Sequence, residues 1–499
     1  MAKANLGRLL AQQAHKLKDL NKSALDVISP ARTRFAPSPT GFMHLGSLRT
    51  CLYNYLLAKS TKGQFILRIE DTDRKRLVPK AENNILQTLK WAGLEIDEGP
   101  YYQSQRKHIY HEYVNKLLES GHAYRCFCSS DRLDKLTASA KKLKPDSSGS
   151  YDRKCSHLDS ETSFKRALNE PFVIRFKLDS YPSFTDALHG NVHRELQTNM
   201  NDIRYDDFVI IKSDGMPTYH FANVVDDMLM CITHVIRGEE WIASTPKHIA
   251  LYNAFNAKSP TFVHIPLLAS EDGRKLSKRS NDEGVLSLSG EPNYYEPEAV
   301  VNFLALQGWS PTRSNKSGYS DSDVMLLKDL ETKFSLHGLT KGLIKLDFNK
   351  LRYLNRAHFD ILKQYNLDRV ICQCHKAWPH STLAECERMF TILSSRIHDV
   401  NDYIHYMNSI FAKPEYKNRF DEGSPSFNAL KEISGQISSF KSVEDFVEYV
   451  RTTYGPKGQQ YLRYAILDNR SGVPVLEAAK ILGMDRVIER VKKAVEIIN

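Results

Sequence analysis

Long apolar runs are missing from this sequence. No stretch approaches the roughly eighteen apolar residues that a membrane-spanning helix needs, so an integral membrane protein of that kind is excluded. Cysteine is scarce, at eight in 499 residues, which is too sparse for a disulfide scaffold. No secretory hydrophobic segment opens the chain. Disorder is excluded in turn, because 41% hydrophobic and 26% charged residues make a globular composition. The expectation is a soluble intracellular protein of about three domains, at roughly 150 residues each. Lys plus Arg is 69 against 59 for Asp plus Glu, a formal charge of +10 that suits a polyanion partner.

Acid is also missing from the amino terminus, where none precedes Asp19. Residues 1–32 carry Lys3, Arg8, Lys16, Lys18, Lys22 and Arg32 against Asp19 and Asp26. On a helical wheel Leu6, Leu9, Leu10, Leu17 and Leu20 form one stripe, with Arg8, Lys18 and Lys22 opposite. A basic, amphipathic, acid-poor leader is what a mitochondrial transit peptide requires, and the matrix is the expected destination. Only Ser23 and Ser29 supply the serine such leaders carry. The other readings are an appended helix that touches RNA, or a cytoplasmic protein of a bacterium.

From Arg34 onward the pattern is strand, turn, helix. Arg34–Ala36 is a short strand stopped by Pro37-Ser38-Pro39-Thr40-Gly41, and Leu45, Leu48, Leu52, Leu56 and Leu57 then recur at helical spacing. Phe65–Ile69 suits a buried parallel strand, and Pro79 can open a helix that stops near Gly93. Phe208–Lys212, Ile232–Ile236 and Thr261–Ile265 are further strands, with a helix after Pro246. Such alternation predicts an α/β fold with a Rossmann-like, doubly wound parallel sheet. Residues 110–204 interrupt it as an insertion. Polar loops are expected at 141–150 and 310–322, beyond which the pattern is helical to the end. No internal repeat is visible.

Two segments carry chemistry. Arg34-Phe-Ala-Pro-Ser-Pro-Thr-Gly-Phe-Met-His44-Leu-Gly46-Ser47 sits where a strand hands over to a helix, so free N–H groups and the positive end of the helix dipole face a crevice. Gly46 would let a bulky ligand approach the backbone, and His44 can donate to a phosphate oxygen. Gly273-Arg-Lys275-Leu-Ser277-Lys278-Arg279 packs four cations into six residues, enough to close over a triphosphate and neutralise developing charge. Singly, they read equally as a tight turn and a solvated basic loop.

Together the two segments resemble the HIGH and KMSKS signatures of class I aminoacyl-tRNA synthetases. With RIEDTD at Arg68–Asp73, PTYHFANVVDD at Pro217–Asp227 and VIRGEEW at Val235–Trp241, residues 33–360 are similar to glutamyl-tRNA synthetases of the bacterial and mitochondrial type. HLGS departs from HIGH at its second and fourth positions, so Ser47 offers a shorter donor.

The resemblance implies that Arg34 and Arg237 grip the glutamate side-chain carboxylate, with Tyr219 adding a hydroxyl. A guanidinium offers only donors, so a glutamine amide would leave buried groups unpaired. Glu70 is implied as acceptor for the α-amino group, with Ala36, Ser38 and Asn223 lining the pocket. ATP would lie over His44 and Gly46, with Glu240 near the ribose and Lys278 near the phosphates. His44, Ser47, Lys275 and Lys278 are the implied catalytic set. The implied reaction is in-line attack of the α-carboxylate on the α-phosphorus, giving glutamyl-adenylate and pyrophosphate, followed by acyl transfer to a terminal ribose hydroxyl of tRNA. Mg²⁺ would accompany ATP. The tRNA would be tRNA(Glu), with tRNA(Gln) as a second acceptor left open. No membrane partner is implied, and a monomer is the default.

The implied domains are an N-terminal extension (1–32), a catalytic domain (33–109 and 205–275) and a connective acceptor-stem insertion (110–204). A stem-contact region with the KMSKS-like loop (276–355) and a helical anticodon-binding region (356–499) follow.

Cys126-Phe-Cys128 and Cys155-Ser-His157 offer three thiolates and an imidazole, a donor set for structural Zn²⁺ that some bacterial members of the family share. The other reading is reduced cysteines packed as small residues. Cys372-Gln-Cys374-His375 falls in a helix over Leu367–Ala377, where positions two apart point away from each other, so it should not chelate. Cys51, Cys231 and Cys386 read as packing residues.

Ile344–Asn355, and farther on Arg463, Ser471–Pro474 and Leu482-Gly483, echo the helical end of the bacterial type. That end, with the Arg34/Arg237 pair, speaks against a glutaminyl-tRNA synthetase. About 140 residues beyond 355 speak against a truncated relative that modifies a tRNA base. An RNA-binding paralogue without activity is opposed by the presence of His44, Glu70, Arg237 and Lys278.

Overall fold

The computed structural model describes residues 25–27, 30–143, 150–194, 204–270, 285–289, 294–311, 323–416 and 423–497. The chain forms two compact units, Met1–Leu286 with Val300–Lys350, and Ser287–Ala299 with Leu351–Asn499. Most of the expected leader and the loop 273–279 lie outside the described residues.

The first unit is built on parallel strands. Strand β1 (Arg32–Phe35) pairs with β2 (Gln64–Ile69), and β2 with β3 (Glu98–Tyr102). Next come β4 (Ala123–Cys126), β5 (Val173–Phe176), β6 (Phe184–Asp186), β7 (Gly190–Val192) and β8 (Val209–Ile211). After these, β9 (His234–Gly238) pairs in parallel with β10 (Thr261–Ile265), and β10 with β6. β1 meets β9 through Thr233, whose hydroxyl accepts from the Arg32 N–H at 2.8 Å and whose own N–H donates to the Arg32 carbonyl at 2.9 Å. Phe65 to Ile69 are buried without alternation, as a strand covered on both faces requires.

The helix Leu45–Ser60 packs on β1, β2 and β9 and is buried almost all round, from Leu45 and Leu48 through Cys51 to Ala58. Its apolar residues are too evenly spread for a surface helix. The helix after Pro246 is Thr245–Ala254, with the proline in its first turn.

Val209–Ile211 differs from expectation. Instead of joining the parallel sheet it pairs antiparallel with β5, which pairs with β4. Conversely β6 and β7, which lie within 110–204, join the sheet of β10. Short apolar runs do not state which sheet they enter; partner choice is tertiary.

The second unit is helical, and its core gathers Phe359, Met389, Tyr403, Ile433, Leu462, Ile481 and Val491. Its longest helix, Val443–Leu467, breaks at Gly455 (φ 60°, ψ −145°) just before Pro456, a residue that cannot continue the hydrogen-bond ladder. Among the described residues no helix is long and apolar enough to cross a membrane.

Candidate active site

The carboxyl ends of the parallel strands open on a cleft of about 680 Å³. Its walls bring together Arg34, Ala36, Ser38, His44, Gly46, Ser47, Glu70, Tyr219, Asn223, Arg237 and Glu240. Lys275 and Lys278 lie outside the described residues.

One side of the cleft is a buried charge cluster. Arg34 donates from Nε to Asp227 at 3.1 Å, and Arg68 donates to the same carboxylate at 2.7 Å and to Glu70 at 3.3 Å. Asp226 is held by Arg106 (2.8 Å), Gln103 (2.9 Å) and the Tyr110 hydroxyl (2.8 Å), with Arg68 at 3.7 Å. Three guanidinium groups thus face three carboxylates, and the cluster sums to zero. Asn223 donates to Glu70 at 3.1 Å, and burial raises the Glu70 pKa, with the nearby cations acting against it.

Arg237 is built differently. It lies on β9 beside His264 of β10, in register. Its Nε–H donates to His264 Nε2 at 3.0 Å, Nη2 to the Thr245 hydroxyl at 2.8 Å, and Nη1 to His248 Nδ1 at 3.3 Å and the Tyr219 hydroxyl at 3.5 Å. All four acceptors are neutral. Burial holds His264 down at about 4 and His248 well below its usual value. Arg237 is therefore the one surplus charge among these grouped arginines, and burial lowers its own pKa. A buried cation that lines a cleft and is bonded by no protein carboxylate is suited to receive an anion.

At the opposite wall His44 caps the helix Leu45–Ser60. Its Nδ1 accepts from the Ser47 N–H at 3.3 Å, and its Nε2 lies 3.0 Å from the Ser47 hydroxyl. A Cβ on Gly46 would come within 3.1 Å of the His44 ring, so the glycine makes room for the imidazole, where a ligand had been expected. Gly238 serves Glu240 in the same way, since a Cβ there would lie 2.1 Å from the glutamate carboxylate.

The family model described as "tRNA synthetases class I (E and Q), catalytic domain" matches residues 30–353. The mitochondrial glutamate–tRNA ligase of Saccharomyces cerevisiae is 45% identical, across 94% of this chain and 91% of its own length.

The chain belongs to the glutamate–tRNA ligase family of class I synthetases.

The glutamate–tRNA ligase of Finegoldia magna is 37% identical (94% and 99% covered), and the mitochondrial one of Schizosaccharomyces pombe 36% (96% and 93%). Among solved structures, a glutamate tRNA ligase from Elizabethkingia meningosepticum, in complex with its amino acid, matches with a TM-score of 0.78 and 30% identity, covering 94% of this chain and all of that one. The α/β front half with a helical back half is the fold of this family.

A second cluster lies in the antiparallel part of the first unit. The sulfurs of Cys126, Cys128 and Cys155 lie within 4.8 Å of one another. His157, expected as the fourth donor, is exposed and outside the group. Lys154–His157 is a 3₁₀ turn, in which positions two apart point to different sides. The place beside the sulfurs is taken by Tyr151, whose hydroxyl lies 3.3 Å from Cys126 Sγ and 3.4 Å from Cys128 Sγ. Cys372 is exposed and Cys374 buried on the helix Leu367–Ala377, as their spacing predicts. Cys51 and Cys386 are buried, but Cys231 is exposed in a turn.

Sequence reasoning missed Arg68 as a site residue, and Asp186, His264, His248 and Thr245 entirely. Arg68 lay inside a quoted motif; the others come from segments with no local signal.

Proposed function

We propose that the chain activates L-glutamate with ATP and transfers the glutamyl group to the 3′ end of tRNA(Glu). The observation that carries this reading is Arg237, a buried cation in the cleft wall whose hydrogen-bond partners are all neutral, beside a cluster of three guanidinium groups and three carboxylates that balances itself. Glutamate brings the side-chain carboxylate such a site lacks. Glutamine would bring an amide whose N–H groups face donors.

In this reading Arg237, Arg34 and Tyr219 hold the γ-carboxylate. Glu70 accepts from the α-ammonium group, with Asn223, Ala36 and Ser38 closing that side. ATP with Mg²⁺ would lie along His44 at the start of the helix Leu45–Ser60, with its ribose near Glu240. Ser47, Lys275 and Lys278 serve the phosphates. No enzyme nucleophile is needed, so catalysis is positioning plus stabilisation of charge on the leaving pyrophosphate. The insertion (110–204) contacts the acceptor stem, and the helical end (356–499) the anticodon.

Cys126, Cys128, Cys155 and Tyr151 would hold Zn²⁺, three soft donors and one oxygen in a closed, structural set. The acid-poor composition of residues 1–32 and the two mitochondrial relatives support action in mitochondria, in the matrix.

Pyrophosphate exchange tests the reading. Exchange with glutamate and not glutamine, in the presence of tRNA, is expected. Exchange supported by glutamine would overturn the substrate, and none under any condition would favour an RNA-binding protein. Charging tRNA(Glu) and tRNA(Gln) transcripts separately decides whether the second is also a substrate.

A further inference from the structure

Behind Arg237 stands a buried pair that no part of the reaction uses directly. Asp186, on β6, is fully buried. Its Oδ2 lies 2.6 Å from His264 Nδ1 and accepts from the His264 backbone N–H at 3.1 Å. Its Oδ1 accepts from the backbone N–H groups of Leu188 at 3.0 Å and His189 at 2.9 Å. The carboxylate is thus fixed from both sides, and it faces the ring nitrogen as an acceptor only. The His264 proton must sit on Nδ1, which leaves Nε2 with a lone pair aimed at Arg237.

We propose that Asp186 and His264 are positioning residues for substrate specificity: the carboxylate fixes the imidazole tautomer, and the imidazole holds the Arg237 fork without neutralising it. The proposal rests on Arg237 gripping the glutamate side chain. A carboxylate bonded directly to Arg237 would orient it equally well but would cancel the charge that separates glutamate from glutamine. An imidazole between the two keeps the orientation and spares the charge. The other anchors follow the same rule. Thr245 accepts from Arg237 at 2.8 Å, and its own proton has two acceptors within reach, the Trp241 carbonyl at 3.0 Å and the unprotonated His264 Nε2 at 3.1 Å. His248 accepts on Nδ1 and has Nε2 3.0 Å from His220 Nδ1.

Asp186→Asn is the test. An amide at this place sets an N–H against at least one N–H in either orientation, and with its nitrogen toward Nδ1 it forces the ring proton to Nε2, against the Arg237 donor. The KM for glutamate should rise at least about tenfold, the scale of one lost charge-assisted hydrogen bond in a buried site. KM for ATP and Kd for tRNA should stay within about twofold, since neither ligand meets this pair. Glutamate-over-glutamine discrimination should fall with it. His264→Gln, whose amide oxygen can still accept from Arg237, should lose less than Asp186→Asn. In the wild-type protein, ¹⁵N NMR of labelled histidine, assigned by loss of a signal in His264→Gln, should find Nδ1 protonated and Nε2 not.

A proton on Nε2 in the wild type overturns the proposal even if Asp186→Asn does not fold. So does a folded Asp186→Asn enzyme with unchanged glutamate KM, or one in which the constants for glutamate, ATP and tRNA worsen together. Wild-type protein without glutamate-dependent exchange would remove the functional reading and this role with it. Active wild type with unaffected variants would remove this role alone.

Discussion

Arg34 and Arg237 share a cleft but not an electrostatic condition. Arg34 is paired with Asp227, which Arg68 also holds, so its charge is already met inside the protein. Arg237 meets only neutral acceptors, and its burial is offset when an anion binds. The two positions should therefore respond differently to substitution. Arg237→Ala should lower kcat/KM for glutamate by roughly a hundredfold or more, the scale for removing a buried hydrogen-bonded charge partner. Its tRNA affinity should change little, because the residue is buried in the cleft. Exchange assays at several glutamate concentrations, with a separate tRNA binding measurement, would check both. Near-normal activation would end the carboxylate-grip role. These two arginines were legible in the sequence because each sits inside a motif. The supports of Arg237 were not, because Asp186, Thr245 and His264 acquire meaning only when β6, β9 and β10 lie side by side.

Among the elements, the antiparallel part of the first unit is where a small set of side chains decides most. β4 ends on Cys126, Cys128 follows, and the turn at 154–157 returns Cys155 to them across Tyr151. If Zn²⁺ is held here, purified protein should carry about one equivalent, and Cys128→Ser should lose it, since four donors close a structural site. Tyr151→Phe should keep all three sulfurs but bind the metal more weakly, and His157→Ala should change nothing. Metal analysis of the four proteins would discriminate, and zinc loss in His157→Ala alone would restore the imidazole as ligand.

In the helical unit the helix Leu383–Leu393 opens with a capping box. Glu385 N–H donates to the Thr382 hydroxyl at 3.2 Å, and the Glu385 carboxylate accepts from the Thr382 N–H at 2.8 Å. Thr382→Ala should cost about 1 kcal/mol, measured by urea unfolding. The helical character of this unit was legible in the sequence, and the helix Leu367–Ala377 runs between the expected ends. Periodicity could not say which short strand enters which sheet, because β6 and β8 are three residues each and carry no distinguishing pattern.

Across the two compact units, buried histidines and buried glutamates titrate in opposite senses. In the first, burial holds His220, His234 and His264 at about 4, against an ordinary value of 6.5. Between those limits the unfolded chain takes up protons that the folded chain refuses, so stability falls as pH is lowered from about 6.5 to about 4. In the second unit, burial with Glu298 nearby pushes Glu296 up to about 7 from 4.5. There the folded state keeps a proton that the unfolded state has lost, so its contribution is present below 4.5 and disappears as pH rises through about 7. Nothing in the net charge of +10 foretells this division, which comes from burial and not from composition. Two variants separate the effects. His234→Asn should flatten the acid limb by about one proton, and Glu296→Gln should raise stability more at pH 8 than at pH 5 relative to wild type. Urea unfolding across pH 4 to 8, at constant ionic strength, reads both slopes. A wild-type curve that stays flat from pH 6.5 to 4, with Glu296→Gln equally displaced at both pH values, would show that neither set of buried groups holds its proton as the fold requires.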